Sequence, residues 1–471
     1  MHALKLAWQR QWNRLHKDRD VHEVIRGSAF TFLFRLLGFV LLYLLQFYIA
    51  REYGAESLGI YSLTITLMNI GMVLAVLGTD TAIIRFLSEF RAKGSLYQIS
   101  EVFNKVVLWA TLISIVLGIL LHVFSEQVSA YVFAGELPAE ALRVVAWMLP
   151  FVSLARLYAS AFRALHRVVI SITVDIVGMR FLHLAFLFIA IPFFEPSTML
   201  LIQLLAAAVI LNAVYGMGQW YATSRGFRIG VQPTEGVPGV GLREIIVVAL
   251  PMYLSASMEL IMTWTDMIML GIFTDAKTVG VYSVVIRLAM VTGFALISIN
   301  TILSPKFSEL YARNDMDGLK KMIAFANRLI FFTSAPLNLL VAIFAVPLLT
   351  FFGEEFASES LVLVILCMGQ FVNFCTGSVI PLLTMTGHQK TARNILVCSA
   401  ALNIIGNACL IPLYGIIGAA IATSISLICR DLCASYWASK YFGFRTWYIP
   451  FLSEKYSVSI SRRGHEEGGL P

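Results

Sequence analysis

The stretch Gly54-Ala-Glu-Ser-Leu-Gly-Ile-Tyr-Ser62 returns in the second half of the chain as Asp275-Ala-Lys-Thr-Val-Gly-Val-Tyr-Ser283. Three further segments recur in the same register. Arg85-Phe-Leu-Ser-Glu-Phe90 returns as Lys306-Phe-Ser-Glu-Leu310, Asn104-Lys105 as Asn327-Arg328, and Ala164-Leu-His-Arg167 as Gly387-His-Gln-Lys390. One matching pentapeptide is a weak signal, but four segments offset by 220 to 223 residues mark a duplication. The sequence around each copy runs in apolar stretches long enough to cross a membrane. An even number of such stretches separates the copies, so both halves share one orientation. That is a parallel repeat about an axis along the membrane normal, an arrangement known in transporters, whose substrate path lies between the repeats.

Composition supports a membrane reading throughout. Of 471 residues, 58% are apolar and 13% charged, with a mean hydropathy of +0.79. Soluble domains are about half apolar and a quarter charged, so an ordinary soluble enzyme, a disordered chain and a disulfide-stapled module are all excluded. Windows of membrane length give apolar spans near 27–50, 58–80, 103–124, 141–162, 168–191 and 199–222. A second set follows near 244–270, 279–304, 329–352, 361–384, 394–414 and 416–438. The expected fold is an all-α polytopic membrane protein, about twelve transmembrane helices in two six-helix lobes, 27–222 and 244–438. A Gly- and Pro-rich linker, 223–243, joins them, and a polar tail follows at 439–471. The alternating signature of a membrane β-barrel is absent.

Lys and Arg set the expected orientation. The segments 1–26, 81–102, 163–167, 223–243, 305–328, 385–393 and 438–471 carry 26 of the 35 basic residues, whereas the connections on the other side carry only Arg51 and Lys277. By the positive-inside rule both termini are cytoplasmic. The same placement explains the net charge of +7 without nucleic acid as a partner. Residues 1–26 are too polar for a cleavable signal. Leu4, Trp8, Trp12 and Leu15 recur there at helical spacing among Lys5, Arg10, Arg14 and Lys17, which fits a helix lying on an anionic leaflet or a basic tail. All six cysteines fall in apolar spans of the second half. The Cys429/Cys433 pair reads as small packing residues rather than a metal or redox site, and no other ligand set for a metal or cofactor is present.

Charges inside the spans are the candidate functional residues, because each costs about 2.5–3.5 kcal/mol at mid-helix. Arg35, Arg180, Arg287 and Glu259 fall nearest the middle of their spans. Arg35 shares a helix face with Gln46 and either lines a cavity or pairs with another span. Arg180 has His183 one turn on and Asp175 on an adjoining stripe. Buried arginines suit an anionic phosphate or pyrophosphate head group. Glu259 and Asp266 share a face of the seventh span with Thr263. With Asp175 they are candidates to carry a coupling proton or sodium ion, or to neutralise an arginine. Pro150, Pro336, Pro347 and Pro381 interrupt spans and predict kinks, while Gly415, Gly418 and Ala422 permit close packing.

The Gly-Ala-x-x-x-Gly-x-Tyr-Ser segment at 54–62 resembles a hallmark of the polysaccharide transporter family of oligosaccharide flippases. So do Gly387-His-Gln-Lys390, Asn403 and Ile411-Pro-Leu-Tyr-Gly-Ile-Ile-Gly-Ala-Ala420. That family belongs to the multidrug/oligosaccharidyl-lipid/polysaccharide exporter superfamily, and the resemblance spans roughly 25–440. It implies two lobes forming a V around a central cavity lined by the first helix of each. It also implies transport of undecaprenyl-pyrophosphate-linked oligosaccharide units across a bacterial inner membrane by alternating access, without a cofactor. Arg35, Arg180, Arg287, Gln46 and His183 would then meet the substrate. A polysaccharide polymerase and a chain-length regulator are the protein partners implied. Arg35 has Ala256 as its repeat counterpart, so the charge pattern is not symmetric. A cation-coupled multidrug exporter is the alternative within transport, and its acidic cavity conflicts with the arginines. A membrane glycosyltransferase or polymerase is disfavoured by the short outer connections and the duplication.

Overall fold

The structure is a computed structural model that describes residues 19–228, 240–448 and 450. The expected amphipathic segment around Leu4–Leu15 and the tail from 451 lie outside those residues. Every regular element among the described residues is helical. The chain divides into two compact units, Met1–Leu254 and Ser255–Pro471.

In the first unit, α1 (Arg19–Val76) is followed by α2 (Thr79–Ala92), α3 (Leu96–Val123), α4 (Ala139–Ala164), α5 (Val168–Ala190) and α6 (Thr198–Arg228). At 1.5 Å per residue, the 58 residues of α1 exceed by far the roughly 30 Å of a bilayer core. The helix is interrupted at Gly54, whose φ of 78° is a conformation that costs glycine little. Gly54 is the first residue of the repeated motif. Its repeat counterpart Asp275 does the same work by other means. It stands two residues beyond the end of α7 (Leu242–Phe273) and N-caps α8 (Ala276–Val291), accepting the Thr278 backbone N–H at 2.8 Å. A duplicated motif thus marks the same helix junction in both halves.

The second unit continues with α9 (Phe294–Ala312), α10 (Met316–Ile343), α11 (Ala345–Phe352), α12 (Ser360–Thr376), α13 (Val379–Met385) and α14 (Gln389–Phe442). α14 is broken at Gly415 (φ 56°). Close by, a Cβ on Gly418 would sit 2.2 Å from the Leu410 carbonyl oxygen across the break, and one on Gly406 would sit 3.1 Å from Ala422 Cβ, so these small residues let the two arms of α14 pack closely. Seven helices among the described residues are long and apolar enough to cross a membrane, and two bent pairs bring the number to nine.

Breaks come just before Pro347 and Pro381, each three to four residues ahead of the proline, whereas the bend at Thr292-Gly293 has no proline beside it. α8 and α9 meet at 49° around Thr292-Gly293, and α12 and α13 at 47° around Gly377-Ser378. Pro347 and Pro381 each stand third in a short helix, where a missing N–H leaves no bond unmade. Pro150 and Pro336 do sit inside α4 and α10.

Each unit has a core at the end that carries its repeated segments. In the first, Ile83, Leu87 and Phe90 of α2 meet Phe103 of α3, Phe162 of α4 and Trp220 of α6, with the Phe103 and Trp220 rings 4.0 Å apart. In the second, Phe307 packs with Leu319, Ile323, Ala326, Leu382 and Ala434. Elsewhere large apolar side chains are exposed in stripes, as at Leu108, Leu112, Ile115 and Ile119 of α3. Such stripes suit a hydrocarbon solvent and would be untenable in water. Cys429 and Cys433 are likewise exposed free thiols on α14.

Candidate functional site

The arginine cluster of the first unit starts from a glycine. Gly38 lets α5 approach α1 so closely that a Cβ there would lie 2.3 Å from Ile176 Cγ2. The gap admits Arg180 of α5, whose Nη1 donates to the Gly38 carbonyl at 2.9 Å. Arg35 stands one helical turn before Gly38 and is exposed, with no hydrogen bond or ion pair among the described residues. Arg180, from a distant part of the sequence, thus reaches the turn of α1 that follows Arg35. Planar guanidinium groups offer paired donors to phosphate oxygens.

Gln46 and His183 take other positions. Gln46 is buried although the spacing puts it on the face of Arg35, because α1 enters the packed part of the unit between them. His183 is completely buried. Its Nε2 is 3.1 Å from the Leu201 carbonyl and its Nδ1 is 3.4 Å from the Tyr61 hydroxyl. Both are thus buried inside the first unit in this structure.

Asp175 lies in a π-helical turn, Thr173–Val177, inserted in α5. Such a turn frees backbone carbonyls, and Asn212 Nδ2 of α6 donates to that of Val174 at 2.8 Å. The Asp175 carboxylate is spent on two arginines of α4, Arg156 at 2.9 Å and Arg163 at 3.0 Å. Arg156 also reaches Asp80 of α2 at 2.9 Å. With both oxygens committed to guanidinium groups, Asp175 ties α2, α4 and α5 together and is ill placed to take up an ion.

Asp266 is different. It is fully buried on α7 and accepts four hydrogen bonds, from Thr423 Oγ1 at 2.6 Å, Asn407 Nδ2 at 2.7 Å, Tyr282 Oη at 2.8 Å and Asn403 Nδ2 at 3.2 Å. No lysine or arginine among the described residues pairs with it. The neighbouring Asn407 Oδ1 is buried and has no hydrogen-bond partner among them. A carboxylate, an amide oxygen and a hydroxyl gathered out of water form a set of hard oxygen ligands that can hold a small cation, and the carboxylate alone can hold a proton. Glu259 and Thr263, expected on the same face, have side chains outside the described residues. Arg287 is half-buried on α8, five residues beyond Tyr282.

Sequence reasoning missed most of this second constellation. Tyr282 was visible only as the tyrosine of the repeated motif, and its counterpart Tyr61 contacts His183 instead. Asn403 entered only through the family resemblance, and Asn407 four residues on was the overlooked signal, because amides at that spacing share a face and need buried partners.

Comparison with known proteins follows this geometry. A family model described as "Polysaccharide biosynthesis protein" matches residues 24–311, and a second, MatE, matches 251–409. The chain is 22% identical to the probable low-salt glycan biosynthesis flippase Agl15 of Haloferax volcanii over 435 residues, 90% of this chain and 86% of that protein. Among solved structures, the lipid II flippase MurJ in an inward closed conformation superposes with a TM-score of 0.67 at 17% identity, covering 89% of each chain. An inward-facing multidrug resistance MATE family transporter of the MOP superfamily gives 0.64 at 13% identity, covering 86% of this chain and 94% of that one. At such identities the structures speak for a shared fold. Because the first family model takes in more than half of its length, this chain belongs to the polysaccharide biosynthesis protein family.

Proposed function

We propose that the protein is a flippase that moves a lipid-linked oligosaccharide across a plasma membrane by alternating access, with both termini on the cytoplasmic side. The observation that carries this reading is the convergence of Arg180 on Gly38 beside Arg35, which places cationic donors within membrane-crossing helices of a chain whose curated relative is named a glycan biosynthesis flippase. A diphosphate joining lipid to sugar is the group those donors fit. Arg287 of the second unit is a further candidate contact. In this reading Asp266, with Thr423 and Asn407, holds the proton or sodium ion whose gradient drives transport. The MatE match and the MATE-like fold favour a second reading, export of cationic drugs driven by an ion. Arg35 and Arg180 oppose it, because they repel cationic cargo.

The test replaces Arg35, Arg180 and Arg287 singly by Ala and measures surface glycan together with lipid-linked precursor in the cytoplasmic leaflet. Loss of glycan with accumulation of precursor is expected for Arg35→Ala and Arg180→Ala. If all three variants leave both quantities unchanged, the cationic head-group site is wrong. Asp266→Asn separates the two roles: in vesicles with the substrate it is expected to abolish the response to an imposed sodium or proton gradient.

A further inference from the structure

At the basic end of the last helix, α14 stops at Gly443, whose φ of 70° turns the chain back on itself. The returning residues are pinned firmly. Tyr448 N–H donates to the Cys375 carbonyl at 2.7 Å, Asn327 Nδ2 donates to the Thr446 carbonyl, and Ser435 and Thr446 share a hydroxyl bond at 2.9 Å. Phe444 is buried in the core of the second unit. Between this return and the end of α14 lies an open cavity of about 450 Å³. Its wall toward the apolar part of the helix is Leu432 and Tyr436, both more than half exposed. Ser435 lies between them, and Ser439, Arg445 and Trp447 line the rest, with the Arg445 guanidinium 5.4 Å from the Trp447 ring centre. Lys440 lies 5.0 Å over the Trp437 ring close by.

We infer that this cavity is a binding site for the head group of an anionic phospholipid of the inner leaflet, separate from the transported substrate. The chemistry is graded along the site as it is along a lipid. Exposed Leu432 and the Tyr436 ring suit an acyl chain, Trp447 and Tyr436 suit the glycerol level where aromatic rings collect, and Arg445 with the Ser439 hydroxyl suits a phosphate. Cations at this depth attract acidic lipids, and basic pockets at the cytoplasmic ends of membrane helices take their head groups. The volume falls in the range of small-ligand sites. The pinned return fixes the pocket floor, so the site is formed before the lipid arrives. A lipid there would brace the last helix of the second unit.

The experiment is native mass spectrometry of the full-length, delipidated protein in detergent, with phosphatidylglycerol or phosphatidylcholine of the same acyl composition added. The wild-type chain is expected to retain phosphatidylglycerol under activation that strips phosphatidylcholine. Arg445→Ala is expected to weaken that retention about fivefold, the effect of one interfacial cation, and Arg445→Lys to keep most of it. Ser439→Leu fills the cavity from the helix side without touching the charge and is expected to weaken retention as much as Arg445→Ala. It decides the matter alone if Arg445→Ala does not fold. Equal retention of the two lipids by the wild type overturns the proposal, as do unchanged retention in the variants and displacement of the lipid by millimolar glycerol phosphate.

Discussion

At the scale of the residue, the two tyrosines of the duplicated motif show how one position serves two chemistries. Tyr61 meets a buried imidazole, and Tyr282 donates to a buried carboxylate. A hydrogen bond to a charged group contributes about 1.5–3 kcal/mol, and a neutral one about 1 kcal/mol. Tyr282→Phe is therefore expected to lower stability by about 2 kcal/mol when Asp266 is ionised, and by about 1 kcal/mol or less once Asp266 is already Asn. Thermal denaturation in detergent of the two single variants and the double variant closes the cycle. Equal cost in both backgrounds means that Asp266 is neutral in the resting protein and already holds a proton. The sequence made Asp266 and the arginines legible because a charge in an apolar run stands out. It hid the donors that make Asp266 a site, since Asn403, Asn407 and Thr423 lie 137 to 157 positions away and each looks unremarkable alone.

At the scale of the element, the duplication fixes where helices end but not the device that ends them. The first copy uses a positive-φ glycine at Gly54, and the second uses the Asp275 cap. Hydrogen bonds from Thr278 hold the Asp275 carboxyl below its ordinary value, with smaller help from the charge of Lys277. A carboxyl depressed in the folded state contributes stability that is fully present above its unfolded value, about 4, and is lost as pH falls through the folded value. Asp275→Ala is expected to cost about 1 kcal/mol at pH 7 and nothing near pH 2. The measurement is the difference in melting temperature between variant and wild type across that range. A difference independent of pH shows that the cap acts without its charge. Hydropathy located these junctions well, because polar residues gather at them. The prolines marked the breaks before Pro347 and Pro381 but not the bend at Thr292-Gly293, because a glycine becomes a hinge only through its neighbours. A Cβ on Gly377, for instance, would meet Asn327 Oδ1.

At the scale of the whole molecule, one duplicated frame carries unlike contents: arginines at the Gly38 turn in one unit, a carboxylate cage in the other. Divergence on a retained frame is legible in sequence only as the absence of a counterpart, as Ala256 stands where the repeat of Arg35 would be. The frame itself makes a prediction that neither site makes. A parallel repeat requires Arg313, in the turn after α9, and Lys93, in the turn after α2, to lie on the same side of the membrane. Glu136, between α3 and α4, and Glu359, before α12, must both lie on the other. In a cysteine-free background, single cysteines at 136 and 359 are expected to react with an impermeant thiol reagent applied to intact cells. Cysteines at 93 and 313 are expected to react only after permeabilisation, because the positive-inside rule assigns them to the cytoplasm. If 93 and 313 label from opposite sides, the two halves are antiparallel. If all four sites reverse, the parallel repeat stands and the orientation given by the charges is inverted.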